Sequence, residues 1–210
     1  MLDFTVPDFR YYNSVALCAL DASFSARANY GGVVNVIESF CENYGFNGRT
    51  YETCPRAEEQ NKVSEVCRSL QGISPEELAE IVNNRQRIGG RLKAALFLDC
   101  LHVFQGFGIE TYQYMQNRFD DPHLERAFSA LRGIGPATLS YLYMLVGDSN
   151  DVKVDRHIRT FATAATGNPD LSGEQIKELF RYAARELAND YPDMTARHLD
   201  HIVWEYQRNR

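Results

Sequence analysis

No apolar run in this 210-residue chain reaches the length of a bilayer span. The N-terminus has no basic segment followed by an apolar one, so no export signal is read there. A cytoplasmic protein without membrane contact is expected, associated with the nucleoid if the cell is bacterial. Positive charge is in deficit: 22 Lys and Arg stand against 28 Asp and Glu, a net charge of −6. That argues against indiscriminate coating of nucleic acid and leaves a local basic field open. Cys18, Cys41, Cys54, Cys67 and Cys100 are an odd number without C-x-x-C spacing, which favours reduced thiols over disulfides or zinc. No cysteine follows Cys100. Alternation of apolar and polar residues never persists beyond a few positions, so an all-α fold is expected. Neither internal repeats nor low-complexity tracts occur.

What is present is helical periodicity. With 44% hydrophobic residues and a mean hydropathy of −0.39, the chain can build one or two small domains with a real core. A monomer is expected. Residues 14–29 read as a largely buried helix, and 31–44 as an amphipathic one stopped by Gly45. Residues 45–60 are turn-rich and read as a surface loop. Ser74-Pro75-Glu76-Glu77 combines a capping box, a first-turn proline and first-turn acids. Gly89-Gly90 breaks the chain before a helix over 91–105. Ser172 with Gln175 starts another helix, carrying Ile176, Phe180 and Ala183. A last helix holds Leu199, Ile202, Val203 and Tyr206.

The most informative stretch is 121–159. Asp121 can cap a helix with Pro122 in its first turn. Leu124, Phe128 and Leu131 give that helix one apolar face. Gly133 and Gly135 bracket Ile134, Pro136 restarts a helix, and Gly147 is placed to end it. Such a turn aims backbone N–H groups outward at a helix N-terminus, a seat suited to a phosphate. Taken alone, the same residues fit an ordinary helical hairpin with a glycine turn. Asp155 can likewise be a plain cap for a helix beginning at Arg156.

Together, Leu131-Arg132-Gly133-Ile134-Gly135-Pro136-Ala137-Thr138 and, one helix later, Val154-Asp155-Arg156-His157-Ile158 resemble the helix-hairpin-helix and Gly/Pro…Asp signature of the endonuclease III superfamily of DNA glycosylases. The resemblance is strong over 91–160 and weak outside it. It implies two helical lobes around a DNA-binding cleft. Residues 1–30 with 160–210 would form one lobe, and 31–159 the other, with the hairpin at about 121–147. It implies double-stranded DNA as partner, gripped by a phosphate contact at Gly133, Ile134, Gly135 and Thr138, often with a monovalent cation at the turn backbone. Many members hold an iron–sulfur cluster on four C-terminal cysteines. With none after Cys100, no such cofactor and no other metal are expected here. Ser25-Ala26-Arg27-Ala28-Asn29-Tyr30 lies where the family fills the gap left by an extruded base. Arg27 would plug that gap, or be a surface arginine at a helix end. Phe24 and Tyr30 are candidate pocket walls. Residues 82–98 contain Arg85, Arg87, Arg91 and Lys93 and no acid. They read as a solvated face or, in this family, as backbone contacts through Arg85, Arg91 and Lys93.

The chemistry would centre on Asp155. A stacked base is out of reach, so such enzymes rotate the nucleotide out. Breaking the N-glycosidic bond builds positive charge on the sugar, which a fixed carboxylate stabilises while it orients or deprotonates a water. Bifunctional members carry a lysine two residues after the second glycine; here that position is Ala137. A monofunctional glycosylase is therefore expected. Lys153 is a minor substitute amine, read as pointing to solvent. His157 and Arg159 read as helix surface or phosphate contacts, and Asp148 and Asp151 as a solvated loop. Two other classes remain: a non-catalytic helix-hairpin-helix DNA-binding module, and a glycosylase acting on RNA or a nucleoside. Which base is excised is not legible.

Overall fold

Helix starts follow their capping residues. The structure, a computed structural model, describes residues 4–5, 9–26, 28 and 30–209. Ser14 accepts from the Ala16 N–H at the head of α1 (Val15–Ser25). After α2 (Tyr30–Tyr44) and α3 (Val63–Ser69) comes α4 (Pro75–Ile81) with the box read from sequence. There Glu77 N donates to Ser74 Oγ at 3.2 Å and Ser74 N donates back to Glu77 Oε2 at 2.8 Å. The Gly89-Gly90 break is a tight antiparallel hairpin between β1 (Arg87–Ile88) and β2 (Arg91–Leu92), Arg87 opposite Leu92 and Ile88 opposite Arg91. Both glycines have positive φ, 58° and 83°, as a two-residue primed turn requires. The helix expected from residue 91 therefore starts two residues later, as α5 (Lys93–Gly106). Next come α6 (Tyr112–Gln116), α7 (Pro122–Ser129) and α8 (Pro136–Val146). The chain closes with α9 (Arg156–Thr166), α10 (Gly173–Leu187) and α11 (Ala196–Arg208). Apart from that ladder and one bridge between Tyr11 and Tyr51, the described residues form helices and loops, so the fold is all-α. No helix among them is long and apolar enough to cross a membrane.

The chain divides into two compact units, Arg10–Gly147 and Met1–Phe9 with Asp148–Arg210. Each has its own apolar core. Leu20, Phe40, Leu96, Phe104, Phe128 and Leu142 belong to the first, and Val152, Ile158, Ile176, Phe180, Ile202 and Val203 to the second. The boundaries differ from the expected 30/31 and 159/160. Every residue from Val15 to Phe24 is buried. A helix buried on all sides sits inside a core, and α1 packs against α2, α5 and α8 of the larger unit. The helix that the sequence placed in the terminal lobe is thus the centre of the other one. Asp155 moves the opposite way, into the unit of the terminal helices.

Candidate functional site

In the larger unit, the hairpin is built as its residues suggest. Asp121 Oδ1 accepts from His123 N at 2.9 Å and Leu124 N at 3.4 Å at the start of α7. Those amides, that of His123 foremost, hold its carboxyl below the usual range. Leu124 and Phe128 are fully buried, and Ile134 packs against the same core. The two turn glycines have different reasons. Gly133 has φ +113°, and a Cβ there would meet Ile88 Cγ2 at 3.0 Å. Gly135, the residue preceding α8, has φ −108° and nothing within 4 Å of a Cβ. No side chain caps α8. Thr138 N is turned inward, donating to Gly135 O at 3.0 Å, and Pro136 has no N–H. Among the described residues the amides of Gly133, Gly135 and Ala137 donate to no protein group. The helix start is therefore bare, open on the outside and electropositive.

In the smaller unit, Asp155 is the N-cap of α9. Its Oδ1 accepts from His157 N at 2.8 Å and Ile158 N at 3.1 Å, and the side chain is half-buried. The strand of chain leading to it is held by other carboxylates. Asp151 Oδ1 accepts from Val152 N at 2.8 Å and pairs with Lys177 Nζ at 2.6 Å. Lys153 N donates to Asp200 Oδ1 at 2.9 Å. Asp200 is 5% exposed. Burial, and then the charge of Asp155, push its carboxyl well above the ordinary aspartate range, against the opposing effect of Lys153. One expectation is corrected here: Asp151 is buried and ion-paired rather than solvated. Lys153 is half-buried.

Sequence reasoning missed Asp200 and the aromatic residues near it. Trp204 packs edge-on to His157 at 6.4 Å and stacks with His201 at 6.2 Å. Phe9 stacks on His198 at 4.9 Å, and Arg197 lies over the Phe9 ring at 3.8 Å. Burial lowers the affinity of both His198 and His201 for a proton. The available signal was an acid, Asp200, sharing a helix face with Ala196 and Val203.

Other candidates in the larger unit fall differently. Lys93 is 2% exposed; its Nζ donates to Phe24 O at 2.8 Å and Gln86 Oε1 at 2.6 Å. Burial draws its pKa down to about 8. Closed in this way it does not reach a phosphate, which corrects its expected role as a DNA contact. Phe24 is fully buried in the core and lines no open pocket, so its assignment to the base pocket is also corrected. Arg27 and the side chain of Tyr30 lie outside the described residues. Arg85 is exposed and paired with Glu80, and Arg91 pairs with Asp99 at 2.5 Å. Ala137, where a catalytic lysine would stand, lies in the first turn of α8. Among the described residues no three His, Cys, Asp or Glu side chains converge to hold a metal ion.

The fold is that of helical DNA glycosylases. It is similar to an 8-oxoguanine glycosylase/lyase from Clostridium acetobutylicum, solved in complex with double-stranded DNA containing cytosine opposite 8-oxoG. The TM-score is 0.58 at 15% identity, over 93% of this chain and 60% of that one. This chain thus spans about 60% of its neighbour's length. No curated protein matches the sequence. A family model described as Domain of unknown function (DUF8548) matches residues 2–208, and the chain belongs to that family.

Proposed function

We propose that this chain is a monofunctional DNA glycosylase that rotates a damaged or modified base out of a duplex and releases it by hydrolysis. The observation that carries the reading is the asymmetric use of the Asp155 carboxylate. Both cap bonds fall on Oδ1, and Oδ2 accepts none from the described residues. One oxygen is fixed by the helix while the other is left for a cationic centre or a water. As the bond from C1′ to the base breaks, its electron pair leaves with the base and positive charge spreads over C1′ and the ring oxygen. A fixed carboxylate stabilises that charge. It takes a proton from the water whose oxygen bonds to C1′, and the departing base is protonated in turn. Water is the only co-reactant needed; no iron–sulfur cluster or other cofactor enters. The likeness in fold to a protein described as a DNA glycosylase/lyase supports the reaction class.

The bare start of α8, with Gly133, Ile134, Gly135 and Thr138 around it, would take one DNA phosphate. The absence of lyase action rests on Ala137, which offers no amine to form a Schiff base. The test is base release from duplexes that each carry one modified base, with strand breaks scored before and after alkali. Breaks only after alkali are expected. Breaks without alkali would contradict the monofunctional reading and point to Lys153.

A second reading, a non-catalytic DNA-binding module, draws on one observation. Capping α9 already gives Asp155 a structural purpose. Asp155→Asn separates the two, because asparagine also caps a helix but bears no charge. Turnover lost with binding retained supports the enzyme; no turnover from wild type on any duplex supports the module.

A further inference from the structure

The larger unit gathers two guanidinium groups beside the hairpin turn, and sequence reasoning gave neither of them a DNA contact. The Gly89-Gly90 turn and the 133–135 turn touch. A Cβ on Gly89 would meet Arg132 Cγ at 3.4 Å and Gly133 N at 3.5 Å, and one on Gly90 would meet Arg132 Nη2 at 3.0 Å. Arg132 thus lies against the glycine pair, and a Cβ at position 90 would push its guanidinium aside by a few tenths of an ångström. From the other side, Arg87 Nη1 donates to Gly90 O at 3.1 Å. Arg87 and Arg132 are both exposed. Neither takes part in an ion pair among the described residues, whereas Arg85 and Arg91, close to Arg87 in sequence, are paired with Glu80 and Asp99. The primed turn is a device for placing charge. It folds Arg87 back over its own backbone and leaves a flat floor for Arg132, which directly precedes Gly133 and the bare start of α8.

We propose that Arg87 and Arg132, set on the Gly89-Gly90 turn, form a second phosphate seat that takes a backbone phosphate of the duplex strand held at the α8 start. The inference rests on the duplex-binding part of the function proposed above. A lone phosphate would satisfy one seat. A polyanion with regularly repeating phosphates satisfies both, and planar guanidinium groups match phosphate oxygens two at a time.

The experiment measures binding of an undamaged DNA duplex by fluorescence anisotropy over a salt series. It compares wild type, the double variant Arg87→Gln/Arg132→Gln, Gly90→Ala and, as a control, Arg49→Gln at another exposed arginine of the same unit. Thermal melts check folding, and both arginines are exposed enough to be replaced without loss of the fold. The double variant is expected to bind more weakly, with the log–log salt slope reduced by about 0.9, the share of the one phosphate no longer neutralised. Gly90→Ala keeps both charges but strains the turn at φ +83° that carries them, and is expected to weaken binding in the same direction and by less. Arg49→Gln is expected to change the slope little. A double variant with wild-type affinity and slope would overturn the proposal, as would a wild type that does not bind duplex DNA. Binding that needs the two arginines in a protein that releases no base would sustain this inference and sink the glycosylase. Base release with unchanged binding in the double variant would do the reverse.

Discussion

Two helices of this chain begin at positions that carry its proposed function, and they begin in opposite ways. The start of α8 has a glycine where a capping side chain would stand, with open space over it. The start of α9 has Asp155, whose own carboxylate satisfies the amides of His157 and Ile158. The same electrostatics operates at both ends: free N–H groups and a positive dipole terminus favour an anion. At α9 the protein supplies the anion and so fixes a carboxylate in place. At α8 it withholds one, leaving a seat for an anion from outside. The neighbourhoods match the division. Exposed Arg87 and Arg132 flank the bare start, while Asp151 and Asp200 brace the chain before the capped one.

The contrast can be broken from either side. The largest expected effect is at the filled end. Asp155→Asn keeps a cap and removes the charge, and is expected to slow base release about 100-fold or more. The melting temperature should stay near that of wild type. At the open end, Gly135→Asp would copy the arrangement of α9. It is expected to raise helix stability by a few tenths of a kcal/mol, while weakening duplex binding roughly tenfold as the new carboxylate takes the phosphate's place. An affinity that stays the same would mean that no anion sits there. Gly133→Ala tests a glycine required by the fold rather than by a ligand. With φ +113° and a Cβ only 3.0 Å from Ile88 Cγ2, the variant is expected to lose about 1–3 kcal/mol in chemical denaturation.

Asp200 gives a pH-dependent comparison with the surface acids. Its carboxyl titrates well above the ordinary value, through burial first and the charge of Asp155 second. The folded protein therefore holds that proton more tightly than the unfolded chain does. The resulting stability is fully present below the unfolded value of about 3.9 and is lost as pH rises through the raised folded value. Asp200→Asn still accepts from Lys153 N and has no proton to lose. It is expected to match wild type near pH 4 and to exceed it increasingly as pH rises. A gap that shrinks with rising pH would contradict the assignment. A small stability effect is expected for Gly135→Ala: its φ of −108° suits any residue and nothing lies within 4 Å, so only the poorer capping of alanine is felt, about 0.5–1 kcal/mol. Its melting temperature should fall by a few degrees at most.

What the sequence made legible was local. Asp121, Pro122, Ser74, Ser172 and the glycines act within a turn of their own position, so the caps and the hairpin are visible without any tertiary knowledge. Even the double role of Asp155 as cap and candidate carboxylate is written in five consecutive residues. What was not legible depends on partners far along the chain. Lys93 looks like a surface cation until Phe24, 69 positions earlier, is placed against its amine. Phe24 looks like a pocket wall until α1 is seen to be buried on every side. Asp200 looks like a helix-surface acid until it meets Lys153 N, 47 positions away. The Gly89-Gly90 turn was visible as a break, but its contact with Arg132 and Gly133 required the two segments to be brought together in space. Shape-dependent properties, above all the identity of the base, share that dependence on long-range packing.

The measurement that tests the account most directly is single-turnover base release by wild type and Asp155→Asn on one modified duplex, with binding of the same duplex measured alongside. Release by wild type, a loss of about 100-fold or more in the variant, and nearly equal binding are expected. Equal release rates in the two proteins, or loss of release and of binding together, would contradict it.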